Sequence, residues 1–137
     1  MIATFYKAPV VRSVWCKPRS KNYWNAAKRG LFGDDWWYRN LRLKRCTFIL
    51  LCSLLEPHLK KQVTHFRVPV DVDVQVAVTL WRLATNIEYR TIAQLFGLGV
   101  STVCTIVLRT CQVMSEHLLP QNVCMPNEVR LREIVGE

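Results

Sequence analysis

Between Tyr89 and Leu108 the chain reads YRTIAQLFGLGVSTVCTIVL, and the order of small, apolar and glycine residues there constrains the local fold more than any other stretch. Ala93 is the one small residue in the middle of a short amphipathic segment, at the point where a second helix must approach closely. Gly97 follows one helical turn later, where the chain has to leave the helix with positive φ, a conformation that glycine adopts without a Cβ clash. Ile92, Phe96, Leu98, Val103 and Ile106 supply apolar contacts on both arms, at spacings that bring them together when two helices cross steeply. The pattern predicts a helix-turn-helix whose second arm runs from Val100 to Leu118, with Val103, Ile106, Val107, Val113 and Met114 inward and Pro120 as its stop. An ordinary helical hairpin would use the same core, so this geometry alone does not select a nucleic-acid partner.

Such a unit needs a preceding helix to close its core. Val68 to Leu80 alternates apolar and other residues strictly, the period of a half-buried strand. Against that, Pro69 and two acids disfavour a central strand, and Val76, Leu80 and Leu83 recur at helical spacing behind Asp71 as an N-cap. The expectation is a helix from about Val72 to Ala84. Upstream, Gly33-Asp34-Asp35-Trp36-Trp37 reads as a break followed by an acidic first turn at the positive end of a helix. A further helix, about Arg45 to Leu55, has Phe48, Leu51, Cys52 and Leu55 on one face. Ile49, Leu50 and Leu54 widen that face, so the helix is either buried on several sides or has a partner. Glu56-Pro57 either ends it or opens a short continuation through Leu59.

The fold class is therefore all-α: a small helical domain with a helix-turn-helix, preceded by a basic, loosely ordered arm. Residues 1–33 form the basic aromatic arm, 34–119 the helical domain and 120–137 a tail. Within the arm, Trp15, Tyr23 and Trp24 are read as anchors onto the helical body, ahead of the alternative of a nucleic-acid surface among Lys17, Arg19, Lys21, Lys28 and Arg29. With 137 residues, half of them hydrophobic, the chain has the length and composition for one packed core and not those of a disordered chain. The apolar run Cys46 to Leu55 falls short of the about 20 residues that span a bilayer, and the first residues lack the apolar stretch of a secretory signal, so a soluble protein of a reducing compartment is expected. The net charge of +9 is unevenly placed: residues 1 to 67 carry 14 Lys and Arg against 3 Asp and Glu, and residues 68 to 137 carry 5 against 7. Attraction for phosphate must come mainly from the first half.

The six cysteines, at 16, 46, 52, 104, 111 and 124, form no C-x-x-C and stand at no zinc-ligand spacing from His58, His65 or His117; they read as small hydrophobes. Asp71-x-Asp73 suits capping better than metal binding, because residues two apart on a helix diverge. Arg42-Leu43-Lys44-Arg45 is a short basic cluster that fits a solvated turn better than a nuclear-import signal.

Trp37, the Arg42 to Cys52 segment with Thr47-Phe48, Glu56-Pro57-His58-Leu59 and above all VAVTLWRLATNIEYRTIAQLFGLGVSTVC, Val76 to Cys104, resemble the Harbinger transposase-derived nucleases. The resemblance covers about Val14 to Val135. It implies DNA-associated ancestry, a nuclear location with cytoplasm as the alternative, and a helical region preceding an RNase H-like core whose three carboxylates hold divalent metal. The chain is expected to stop before that core and so to lack catalysis and any cofactor of its own. Two metal ions roughly 4 Å apart need converging carboxylates, and the acids here are caps or lie scattered along helices; no catalytic residue is carried over. A fragment of a metal-dependent DNA nuclease is the remaining alternative.

Two functions then compete. In a DNA-binding module, Ser101, Thr102 and Thr105 approach the groove while Arg90, Arg109 and the N-terminal bases hold phosphates. No Arg, Lys, Asn or Gln stands in the first two turns of the second helix, so specificity is expected to be weak. In a protein-interaction module, Ile49, Leu50, Leu54 and Leu108 pack against a protein partner or the missing nuclease domain.

Overall fold

The structure, a computed structural model, describes residues 19–60 and 68–136, and every regular element among these is helical. In chain order they are α1 (Asn22–Lys28), α2 (Asp34–Leu41), α3 (Arg45–Leu59), α4 (Val72–Thr85), α5 (Tyr89–Phe96) and α6 (Val100–Val113). A π-helical turn, Met114–Leu118, joins α6 to α7 (Leu119–Asn122), and α8 (Glu128–Val135) follows. Trp15, Lys17, Cys16 and His65 lie outside the described residues.

Helix α4 lies at the centre and packs against α2, α3, α5 and α6. Residues Val74 to Thr79 are all buried, as is Trp81, so the middle of this helix has no solvated face to give it a 3.6-residue hydrophobic period. That is why its sequence alternates like a strand while its backbone is helical. Polar side chains inside it are matched: Gln75 Nε2 donates to the Val70 carbonyl at 2.8 Å, and Thr79 Oγ1 to the Gln75 carbonyl at 2.9 Å. Asp71 sits at the N-cap position without a capping side-chain hydrogen bond. Asp73 accepts from Val74 N–H at 2.9 Å and pairs with Lys28, tying α4 to α1.

The loose arm expected through residue 33 is not loose over α1. Trp24 is 3% exposed, and its ring centroid lies 5.4 Å from Phe96 and 6.0 Å from both Trp37 and Phe48. Tyr23 packs edge-on against Trp81 at 5.9 Å and accepts from the Trp36 indole N–H at 3.2 Å. The buried Trp24, the half-buried Tyr23 and an ion pair make this short helix part of the body, where its own length would not hold it. The anchoring role read for Tyr23 and Trp24 is the one they occupy.

Two prolines behave differently from a simple stop. Pro57 lies inside α3, which continues to Leu59 because Leu55 and Leu59, one turn apart, are both fully buried. Pro120 does not end the long helix either. The π turn before it widens the backbone where proline lacks an N–H, and Pro120 falls in the first turn of α7, where helical N–H groups have no partner in any case. Ile49, Leu50 and Leu54 are 59%, 58% and 51% exposed, so the widened face of α3 is not covered by the described residues.

The left-handed turn that ends α5 is held by sterics as well as by dihedral angle. Gly97 has φ +65, and a β-carbon there would stand 2.5 Å from the Ser20 carbonyl oxygen of the chain preceding α1. Gly97→Ala is expected to destabilise the protein by about 2 kcal/mol or more, from the left-handed penalty plus the backbone clash. Gly97→Asn tolerates the dihedral but keeps the clash, so chemical denaturation should show it still clearly less stable than the parent.

Candidate nucleic-acid interface

Each end of α5 is fixed. Asn86 ends α4 in the left-handed region at φ 52, and the Arg82 guanidinium donates to the Ile87 carbonyl at 2.7 Å while lying 5.0 Å from the Tyr89 ring centroid. At the other end Leu98 N–H reaches back to the Ala93 carbonyl at 2.9 Å, and Gly99 in extended backbone starts α6. Helix α5 and the Val100–Asn122 run are bent by 101°. Ile92, Ala93, Phe96, Val103, Ile106, Val107 and Val113 are all buried between them and α4, and Met114 is half-buried. Thr110, fully buried, is an additional inward residue that an apolar count passes over.

The crossing turns one face of α6 outward. Ser101 and Thr105 are exposed, Leu108 is 65% exposed, and Thr102 and Cys104 are half-buried. Thr105 Oγ1 donates to the Ser101 carbonyl at 2.9 Å, so toward a ligand it offers an acceptor and a methyl group, whereas Ser101 keeps its hydroxyl proton. Arg90, exposed on α5, lines a cleft with Val100 at the start of α6.

Arg109 belongs elsewhere. Its Nη2 donates to the His58 carbonyl at 3.3 Å, near the C-terminal end of α3, where a cation is favourably placed. Beside it the rings of His58 and His117 stack with centroids 3.7 Å apart. It stands eight residues, about 12 Å along the helix, from Ser101. The five residues singled out from sequence thus divide into Arg90, Ser101, Thr102 and Thr105 near the elbow and Arg109 as a strut between α3 and α6.

Residues from the far N-terminal side complete the elbow. Burial of Trp24 brings Ser20 against Gly97, and Arg19 then lies beside Gly99, with Nη1 3.6 Å from where a β-carbon would stand. Lys21 flanks Gly97 from the same segment. Arg19, Ser20, Arg90 and Gln94 share one cleft of about 330 Å³, and among the described residues no carboxylate lines it. Among the described residues no ion pair involves Arg19, Lys21 or Arg90. Sequence reasoning assigned the basic residues to the arm but had no signal that placed Arg19 at the turn, and it passed over Gln94.

Other groups are structural. Arg45, from the basic cluster, donates to the Lys28 carbonyl at 2.8 Å and lies over the Trp37 ring. Among the described residues no three His, Cys, Asp or Glu side chains converge as a metal site, and no single helix is long and apolar enough to cross a membrane. Comparison with family models, curated proteins and solved structures returns no match for the chain.

Burial, and secondarily the charge of Asp73, push the Cys52 thiol up to about 12 from the ordinary 9.0. Cys46 is exposed. Thiol reagent at mildly alkaline pH should therefore modify Cys46 quickly and Cys52 only on unfolding. Since the folded state holds the Cys52 proton more tightly than the unfolded state, this contribution to stability is full below about pH 9 and is lost as pH rises toward 12. Denaturation midpoints measured over that window should fall less steeply in Cys52→Ala than in the parent.

Proposed function

We propose that this chain is a DNA-binding helical module of the kind that precedes the nuclease core in Harbinger transposase-derived nucleases, and that α5 and α6 act as its helix-turn-helix. One observation carries the reading: a helix set at 101° to its predecessor presents Ser101 and Thr105 outward, and its N-terminal end is rimmed by Arg19 and Arg90, neither paired with an acid among the described residues. Insertion of the first turns of a helix into the major groove uses this arrangement, with cations on the flanking phosphates. The short side chains set the level of specificity. Ser101 donates or accepts, Thr105 accepts or touches a thymine methyl, and neither makes the two-point contact that separates bases strongly. Binding is therefore dominated by phosphate contacts and is steeply salt-dependent.

Replacing Ser101 and Thr105 together by alanine is expected to change the order of preference among duplex sequences by about 1 kcal/mol or less, with little change in salt dependence. Competition binding over a randomised duplex pool measures this, and an unchanged preference would remove groove reading by α6.

The exposed Ile49, Leu50 and Leu54 on α3 support a second reading, in which that face seats the nuclease domain of such a protein. Leu50→Gln with Leu54→Gln, which add no charge, should then leave duplex affinity intact and reduce binding of an apolar dye to the isolated chain.

A further inference from the structure

We propose that the elbow cleft between Arg19 and Arg90 is a binding site for one backbone phosphodiester of duplex DNA, and that this contact, more than any base contact, fixes where α6 lies on the duplex. The inference rests on the DNA-binding reading and assigns to it a site and a ligand group.

The first argument is electrostatic. The Arg19 guanidinium lies against Gly99, the residue from which α6 starts, so a full positive charge stands at the positive end of a 14-residue helix dipole. Arg90 lines the same cleft from α5. Two guanidinium groups and a helix N-terminus repel one another, and among the described residues no carboxylate in the lining offsets them. An anion seated among them adds three favourable pairings that offset these repulsions.

The second argument is the supply of hydrogen-bond donors. No side chain caps the N-terminus of α6, so its first N–H groups have no capping side-chain acceptor. Ser20 Oγ accepts from Asn22 N–H at 3.2 Å, which leaves its own proton to donate, and the Gln94 amide adds two more donors at the exposed rim. Guanidinium, hydroxyl, amide and backbone N–H groups gathered around about 330 Å³ suit a tetrahedral oxyanion. The position also fits the partner. A phosphate held in the cleft lies against Val100, the first residue of α6 and the neighbour in sequence of the exposed Ser101, so it would hold the start of that helix to the duplex backbone.

The test compares the parent chain with Arg19→Gln, Arg90→Gln and the double variant, all changes that remove charge near the surface, with Arg132→Gln on the exposed helix α8 as control. Circular dichroism first establishes that each variant is folded. Inorganic phosphate, at ionic strength matched with chloride, should raise the melting temperature of the parent and of Arg132→Gln but not of the double variant. Affinity for a short duplex should fall about tenfold for each arginine removed, uniformly across sequences, and the slope of log affinity against log salt should fall by about one. A methylphosphonate replacing one phosphate of the duplex should reproduce the loss in the parent and add nothing in the double variant.

Equal phosphate stabilisation of parent and double variant, or unchanged duplex affinity and slope, would overturn the cleft as a phosphodiester site. Loss of the phosphate response with duplex affinity intact would also overturn it, since the ligand would then be a free phosphate. If Ser101→Ala with Thr105→Ala leaves sequence preference unchanged while the methylphosphonate effect is present, groove reading fails and the cleft stands. If preference shifts but the double variant binds like the parent, the cleft fails and groove reading stands.

Discussion

The packing of Trp24 against Phe96 is the interaction on which the arrangement of the rest depends. Trp24 comes from a seven-residue helix too short to persist alone, and Phe96 is the last residue of α5 before the left-handed turn. Their centroids are 5.4 Å apart with the rings tilted, and Trp37 and Phe48 both close on Trp24 edge-on, so one indole joins α1 to α2, α3 and α5. Its indole N–H has no hydrogen-bond partner among the described residues, a cost that burial of so large a side chain outweighs. Because Ser20 and Arg19 lie a few residues before it, seating this one ring also seats the backbone that touches Gly97 and the guanidinium beside Gly99.

A second constraint is the all-round burial of α4. Helices α2, α3, α5 and α6 each cover part of it, and five of its buried residues, Val74, Val76, Ala77, Val78 and Thr79, are small or β-branched, which allows neighbouring axes to approach. With the central helix fixed, α5 and α6 have only one way to bury Ile92, Phe96, Val103 and Ile106, and the steep crossing between them follows. Ser101 and Thr105 face outward for the same reason, since they stand opposite Val103 and Ile106 around the helix.

Legibility in the sequence tracks how local each signal is. The α5–α6 turn was readable because its determinants sit within twenty consecutive residues: a small residue at the crossing, a glycine where φ is positive and apolar residues in register. The extent of α4 was readable only by weighing Pro69 and helical repeats against a strand-like alternation, because a helix buried on every side loses the polar half of its pattern. The path through Pro120 was not readable. A proline usually ends a helix, and the π turn that lets it pass depends on how the preceding turn is packed. Asp73 was likewise assigned to capping, when its partner Lys28 lies 45 residues away and becomes a neighbour only on folding.

By itself, then, the sequence determined that the chain is helical, where α5 turns into α6, and which residues of α6 face in or out, since each follows from steric and hydrophobic patterns within a few turns. It also determined that positive charge is concentrated in the first half of the chain. Only the tertiary structure decided where that charge acts. Burial of Trp24 carries Arg19 and Lys21 to the elbow of a region that is itself slightly acidic, while Arg109, close to the elbow in sequence, is drawn away to the end of α3. The physical reason is that apolar burial, which is large and short-ranged, sets the path of the backbone, and the charged groups go where that path takes them.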